Sequence, residues 1–353
     1  MSREDGHPGG RARLRAATRT HVLSHRWSLG MGIDPSGRFL IADSEPARVY
    51  DVAAGDCRLT VPRFSADTVN WAFCGDGTAL LTGGRGRNGR VWEPASGRRV
   101  RVLRGHWRKV GCVALSADGL TAATGSDDGR LRVWDLGTGR RVRTLRADNG
   151  PVRSAAVNRD GTVALCGSRG RATAWDVTTG QLLHTVDGLG GIAWVVQLSD
   201  DGTSALALAN ETTHVWDTAT GGRMHAFPVR TDRWQAVALA KRGDIAVTGC
   251  IDGSTMVWDV VSGKAIRELI GHERKVEAVA LSADSRVALT GGFDATARLW
   301  DLETGECLYR LDGHTAAVTG VALSDDARIA ATCSEDSTLR IWKLDWETRD
   351  AAL

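Results

Sequence analysis

The sequence predicts an all-β repeat fold of eight units, each made of four short strands, and three observations predict it. An aromatic residue closes a short apolar run at Tyr50, Trp92, Trp134, Trp175, Trp216, Trp258, Trp300 and Trp342, so successive units are 41 or 42 residues apart. A fixed period of about 20–50 residues marks a repeat architecture. In six of the eight units the aromatic is followed by Asp, as in Trp134-Asp135 and Trp300-Asp301; Trp92-Glu93 and Trp342-Lys343 depart. No segment sustains a helical period, and the apolar, β-branched runs are bounded by Gly, Asp, Asn and Ser rather than by helix caps.

The third unit shows the element order most plainly. Gly105-His106 leads into a strand from Val110 to Ser116, then the turn Ala117-Asp118-Gly119 and a second strand from Thr121 to Ser126. Asp127-Asp128-Gly129 makes the next turn, Leu131 to Asp135 the third strand, Gly137 to Gly139 a turn, and Val142 to Leu145 the outer strand. Turn residues occupy every gap because Gly tolerates positive φ and Asp or Asn side chains bond the backbone locally.

These residues resemble the WD-repeat (WD40) β-propeller family, over roughly residues 20 to 346. The resemblance implies a buried network joining the His of Gly-His, a Thr of the second strand, the turn Asp and the strand-three Trp. Three units carry all four: His106, Thr124, Asp128 and Trp134; His272, Thr290, Asp294 and Trp300; His314, Thr332, Asp336 and Trp342. Unit six keeps Thr248, Asp252 and Trp258 but has Arg230-Thr231 for Gly-His, unit five offers Asn210, and unit four has Arg169-Gly170 at the turn. Those units are expected to be less rigid, since a satisfied polar network stiffens its surroundings.

Eight units imply eight four-stranded blades, with a seven-blade reading as the alternative in which Met31 to Tyr50 is an appended piece. The resemblance implies that Thr20 to Leu23 pairs outside Leu339 to Trp342 and closes the ring, removing an exposed sheet edge. The expected organisation is a disordered basic leader over 1–18, a propeller over 19–346 and a C-terminal tail over 347–353. The leader carries Arg11, Arg13 and Arg15, followed by Arg19, with few apolar residues and no apolar stretch of a signal peptide.

Composition excludes several classes. No apolar run approaches the roughly 20 residues of a spanning helix, so a soluble, cytoplasmic protein is expected. Cys57, Cys74, Cys112, Cys166, Cys250, Cys307 and Cys333 form no CxxC pair and read as reduced, mostly core residues. Arg far outnumbers Lys in a chain rich in Ala and Gly, which points to a bacterial source. A net charge of +3 does not argue for nucleic acid. Arg85, Arg87 and Arg90, with the arginines up to Arg108, nevertheless form an electropositive sector that could hold an anion.

Gly84-Arg85-Gly86-Arg87-Asn88-Gly89 matches a dinucleotide-binding string, yet it lies between two strands and lacks the helix N-terminus that would hold a pyrophosphate. His21 and His25 have the spacing of zinc ligands on a helix, but the predicted element is a strand and turn. No metal or cofactor is expected. The repeated His, Asp and Thr look like a hydrolase constellation, but active sites are single and structural networks recur with the unit.

Partners of such a propeller bind the face where strand-four-to-one loops emerge. Carried over by position, that face comprises Trp27, Leu29, Lys109, Arg153, Ile192, Trp194, Arg233, Gln235, Lys275, Glu277 and Thr319, with Asp127, Ile251, Phe293 and Glu335 before the turn Asp. Aromatic and Arg side chains dominate interface energetics, which suits a protein or peptide partner; Trp27 and Trp194 could equally fill a wide central channel. The sequence reading is a non-catalytic interaction scaffold, and the resemblance leaves open whether it works alone or beside an NTPase or kinase partner. The alternatives are an enzyme or small-ligand sensor with a site in the central channel, and an anion or nucleic-acid binder.

Overall fold

The computed structural model describes residues 14–24, 30–42, 46–61, 70–84, 86–147, 150–210, 212–228 and 236–347. Every helix or strand among them is a β-strand, and the strands form an all-β propeller. They make seven hydrogen-bonded sheets, six of four strands and one of six. The seven sheets agree in number with the seven-blade alternative, and the expected eight separate four-stranded sheets are not seen because units four and five share the six-stranded one.

The six-stranded sheet lies where the sequence departs from the turn pattern. Its order is Ser154–Val157, Val163–Asp176, Leu182–Leu198, Ser204–Ala209, Thr212–Asp217 and Arg223–Pro228. Val163–Asp176 doubles back at Gly170 (φ +70°), since Val177 N–H donates to Thr162 C=O at 2.8 Å; a straight strand would hold those residues about 50 Å apart at roughly 3.3 Å per residue. Leu182–Leu198 bends at Gly188 and Gly190 (φ +75° and +76°). Its first half pairs with Arg171–Trp175 and its second half, from Ala193, with Ala205–Ala209. Arg169 pairs directly with Ile192, and the ladder therefore continues from unit four into unit five.

Ring closure follows the expected register. Leu14–Ser24 pairs antiparallel with Thr338–Trp346, with Leu23 opposite Leu339 and Arg19 opposite Trp342. The strand starts at Leu14, so residues 14–18, expected to belong to the basic leader, form part of the last sheet.

The core sits between sheets rather than within them, because strand residues alternate faces. In the first sheet, Leu40, Ala42 and Tyr50 pack against Ala331, Leu339 and Ile341 of the last sheet, while Phe39, Ile41 and Val49 pack against Leu80 and Trp92 of the second. A one-residue slip would exchange these faces, which fixes the register. The Asp after each aromatic has a local task. Asp135 Oδ1 accepts from Thr138 N–H at 3.0 Å, and Asp135 C=O accepts from Gly139 N–H at 2.7 Å, where φ is +73°.

Candidate functional site

The inner strands surround a central cavity of about 370 Å³. Met31, Asn70, Trp71, Cys112, Val113, Arg153, Ser154, Trp194, Gln197, Val237, Ala278, Val279 and Val321 line it, drawn from all seven sheets. Most of its polar side chains are committed to bracing neighbouring strands. Asn70 Nδ2 donates to Gly111 C=O at 2.6 Å, Ser154 Oγ to Ala193 C=O at 2.7 Å, and Gln197 accepts Leu239 N–H at 2.6 Å. Burial pushes the Cys112 thiol up to about 12, leaving it an unreactive wall residue. Trp194 differs: its side chain borders the cavity yet remains 54% exposed.

Arg153, also on the cavity wall, donates to Asp127 at 3.0 Å, and Lys109 stands 3.9 Å from the other Asp127 oxygen. The three form a cation–acid–cation arc joining the third sheet to the fourth unit. A second hollow, of about 360 Å³, lies between units six and seven and is lined by Ile251, Asp252, Glu273, Arg274, Lys275 and Phe293. Arg274 and Lys275 lie 5.7 Å and 5.8 Å from the Phe293 ring centroid, within cation–π range. Ile251 is 56% exposed beside them.

The expected rim residues thus divide into two groups, Arg153 and Trp194 at the central cavity and Ile251, Lys275 and Phe293 at the second hollow. Ile192 sits on the strand that connects units four and five. Glu277 does not face a partner: it is 1% exposed and paired with Lys275 at 2.9 Å, which removes it from the expected surface. Trp27, Leu29, Arg233, Gln235 and Arg85 lie outside the described residues. Trp107, which sequence reasoning did not single out, is 53% exposed with Arg108 stacked at 4.8 Å. Its position directly after the Gly-His dipeptide was the available signal.

Of the Gly84 to Gly89 string, Gly84, Gly86 and Arg87 lie between the strands Leu80–Gly83 and Asn88–Glu93, with Arg87 exposed, and Asn88 and Gly89 begin the second strand. Arg90 is half-buried, and burial and the neighbouring Arg99 guanidinium both depress its pKa. No group of three or more potential metal-binding side chains occurs among the described residues. No helix of the described residues is long and apolar enough to cross a membrane.

The repeated polar network has the same bonding in three units. Trp134 Nε1 donates to Thr124 Oγ1 at 2.9 Å, Thr124 Oγ1 lies 2.9 Å from His106 Nε2, and His106 Nδ1 lies 2.8 Å from Asp128. The corresponding distances are 2.8, 2.8 and 3.0 Å around His272, and 3.1, 2.9 and 2.9 Å around His314. Burial holds the His106 imidazole below its ordinary pKa, which favours the neutral ring. Burial alone would raise the Asp294 and Asp336 carboxyls, but bonds from His272 and Thr296, and from Thr338 and His314, outweigh it and hold both well below the usual range. Trp92 donates to Thr82 at 2.8 Å and Trp258 to Thr248 at 2.9 Å. In units one, four and five the residue ten positions before the aromatic is Leu40, Leu165 or Leu206, each fully buried.

The WD domain, G-beta repeat family matches the chain over residues 97–135, 263–301 and 305–343. These stretches contain the third sheet strands of the three units with complete His, Thr, Asp and Trp networks. WD repeats in three places, set in a propeller, support a WD-repeat β-propeller. No curated protein sequence matches the chain significantly.

Proposed function

We propose that this chain is a non-catalytic scaffold that binds a peptide or protein segment across the mouth of the central cavity. The observation that carries the reading is Trp194, a large apolar side chain left more than half exposed on the wall of a cavity bordered by every sheet. Exposed aromatic and cationic groups around a rigid hollow supply buried area and directional donors to a partner. Trp107 with Arg108, and Phe293 with Arg274 and Lys275, extend that character around the ring. The propeller fold commonly serves as an interaction scaffold, and an NTPase or kinase is a class of partner it would serve.

The test uses Trp194→Ala combined with Ile251→Ala, both at exposed positions. A partner captured from native lysate by the wild type and lost by the variant, with the unfolding midpoint unchanged, supports the reading. Capture that survives both substitutions refutes it. A second reading, a small ligand within the cavity, draws on the volume of about 370 Å³, which falls inside the usual range of ligand sites. Saturable thermal stabilisation by a metabolite pool would favour it.

We further propose that the six-stranded sheet occupies two radial positions, giving an eight-position ring. Support comes from the return of Val163–Asp176 on itself and the bend of Leu182–Leu198, which together supply eight strand runs. Averaged end-on electron-microscopic views showing seven lobes would overturn this.

A further inference from the structure

We propose that the seam where the ring closes holds a phosphate dianion between Arg19 and Arg340, clamping the N-terminal strand to the last sheet. Register brings the two arginines together. Arg19 pairs with Trp342, and Arg340 stands two residues before that Trp on the adjacent strand. Their Nη1 atoms converge on the space a Cβ would fill at Gly313; that of Arg340 contacts it, and that of Arg19 lies 3.4 Å away.

Arg340 is 8% exposed, and its Nε and Nη1 have no hydrogen-bond partner among the described residues. Its Nη2 donates to Gly313 C=O. Buried donors are nearly always satisfied, and two guanidinium groups held together repel unless an anion lies between them. Burial and the nearby Arg19 depress the Arg340 pKa, and the acid that opposes this effect, Asp336, already accepts from His314, Thr338 and the Thr315 N–H. The other acid beside Gly313, Asp312, is 61% exposed and paired with Arg310 at 2.7 Å. The carboxylates present are therefore engaged elsewhere, and the two planar forks that converge beside Gly313 present donors in the arrangement that suits a tetrahedral oxyanion.

The arrangement recurs once in closely similar form. In unit three, Arg132 and Arg141 place their Nη1 atoms 3.7 Å and 3.5 Å from the Cβ position of Gly105. There Arg132 already contacts Asp128 at 3.4 Å. Unit seven supplies an internal contrast, with Arg298 beside Gly271 but Cys307 in place of the second arginine. The seam is therefore the site with the greatest unmet donor capacity.

The experiment measures thermal unfolding of the full chain as inorganic phosphate replaces chloride at constant ionic strength, with ³¹P line widths recorded in parallel. Arg19→Gln changes an exposed residue and leaves the fold able to form, and Arg98→Gln serves as a control on another exposed arginine. Wild type and Arg98→Gln are expected to show saturable stabilisation, roughly 2 °C at tenfold above half-saturation, with broadened phosphate resonances. Arg19→Gln is expected to lose both effects. Equal stabilisation of Arg19→Gln and wild type would show general salting by phosphate and overturn the proposal. So would an absence of stabilisation in the wild type.

Discussion

Replacing Thr290 by Val tests whether the buried network stabilises the propeller through its central hydroxyl. The substitution preserves shape and removes one oxygen whose two short contacts are the Trp300 indole N–H at 2.8 Å and His272 Nε2 at 2.8 Å, with the Arg298 C=O at the longer distance of 3.5 Å. With Nδ1–H donating to Asp294, the ring nitrogen facing Thr290 accepts the hydroxyl proton, so the variant strands one donor and one acceptor. Each buried group left unpaired costs about 1–3 kcal/mol, so a total loss of roughly 2–6 kcal/mol is expected. Thr248→Val is the comparison, because Thr248 accepts the Trp258 indole at 2.9 Å and the sequence has Arg230-Thr231 in place of the Gly-His pair. It strands one group, and about 1–3 kcal/mol should be lost. Equilibrium urea unfolding measures both, with unchanged slopes showing that midpoint shifts report stability. A Thr290→Val loss no larger than that of Thr248→Val would refute the chain of bonds as the source of rigidity.

Acid should destabilise the protein in two windows. Asp294 and Asp336 have folded pKa values below their unfolded ones, so their contribution is complete above about pH 4 and disappears as pH falls toward the folded values; Asp294→Asn should flatten that part of a stability-versus-pH curve. His106 is also depressed, and because it is a base the neutral folded ring loses stability once pH drops below about 6.5, a slope that unfolding midpoints between pH 7 and 5 would detect. Gly139→Ala puts a Cβ at φ +73° and should lower stability by about 1–2 kcal/mol, read as a shifted urea midpoint. Removing residues 1–24 takes away the strand that covers Thr338–Trp346 and should produce concentration-dependent association in sedimentation experiments.

Much of this architecture was legible in the sequence because one residue type recurs at one place in each unit. The aromatic positions could be read from spacing alone, whereas the His, Thr and Asp network and the pairing of Thr20 to Leu23 with the last sheet followed from the resemblance to WD-repeat propellers. Sheet continuity was harder to read. Arg169-Gly170 was visible as a missing turn Asp, but that Arg169 would pair with Ile192 depends on how Gly188 to Gly191 steer the chain. Thr82 was overlooked as the partner of Trp92 although it stands ten residues before it, as in the complete units. Exposure could not be inferred from residue type: Glu277 looks like a surface acid and is buried against Lys275, whereas Trp107 is of a type common in cores and is exposed. These outcomes depend on neighbouring sheets, and a linear pattern does not encode neighbours directly.

The continuous ladder across units four and five has a consequence for how the ring yields. Elsewhere, adjoining sheets meet through interdigitated side chains and scattered single backbone bonds, such as the Gly84–Val110 bridge and Val276 N–H to Cys250 C=O, rather than through a continued strand ladder. Between Arg169 and Ile192 the backbone itself crosses the boundary. Loosening one unit there disturbs paired amides of the next, so the two should exchange their amide hydrogens as one cooperative block while their neighbours open independently. The ring would then have one stiff double-width sector, and bending or breathing would be concentrated in the remaining sheets.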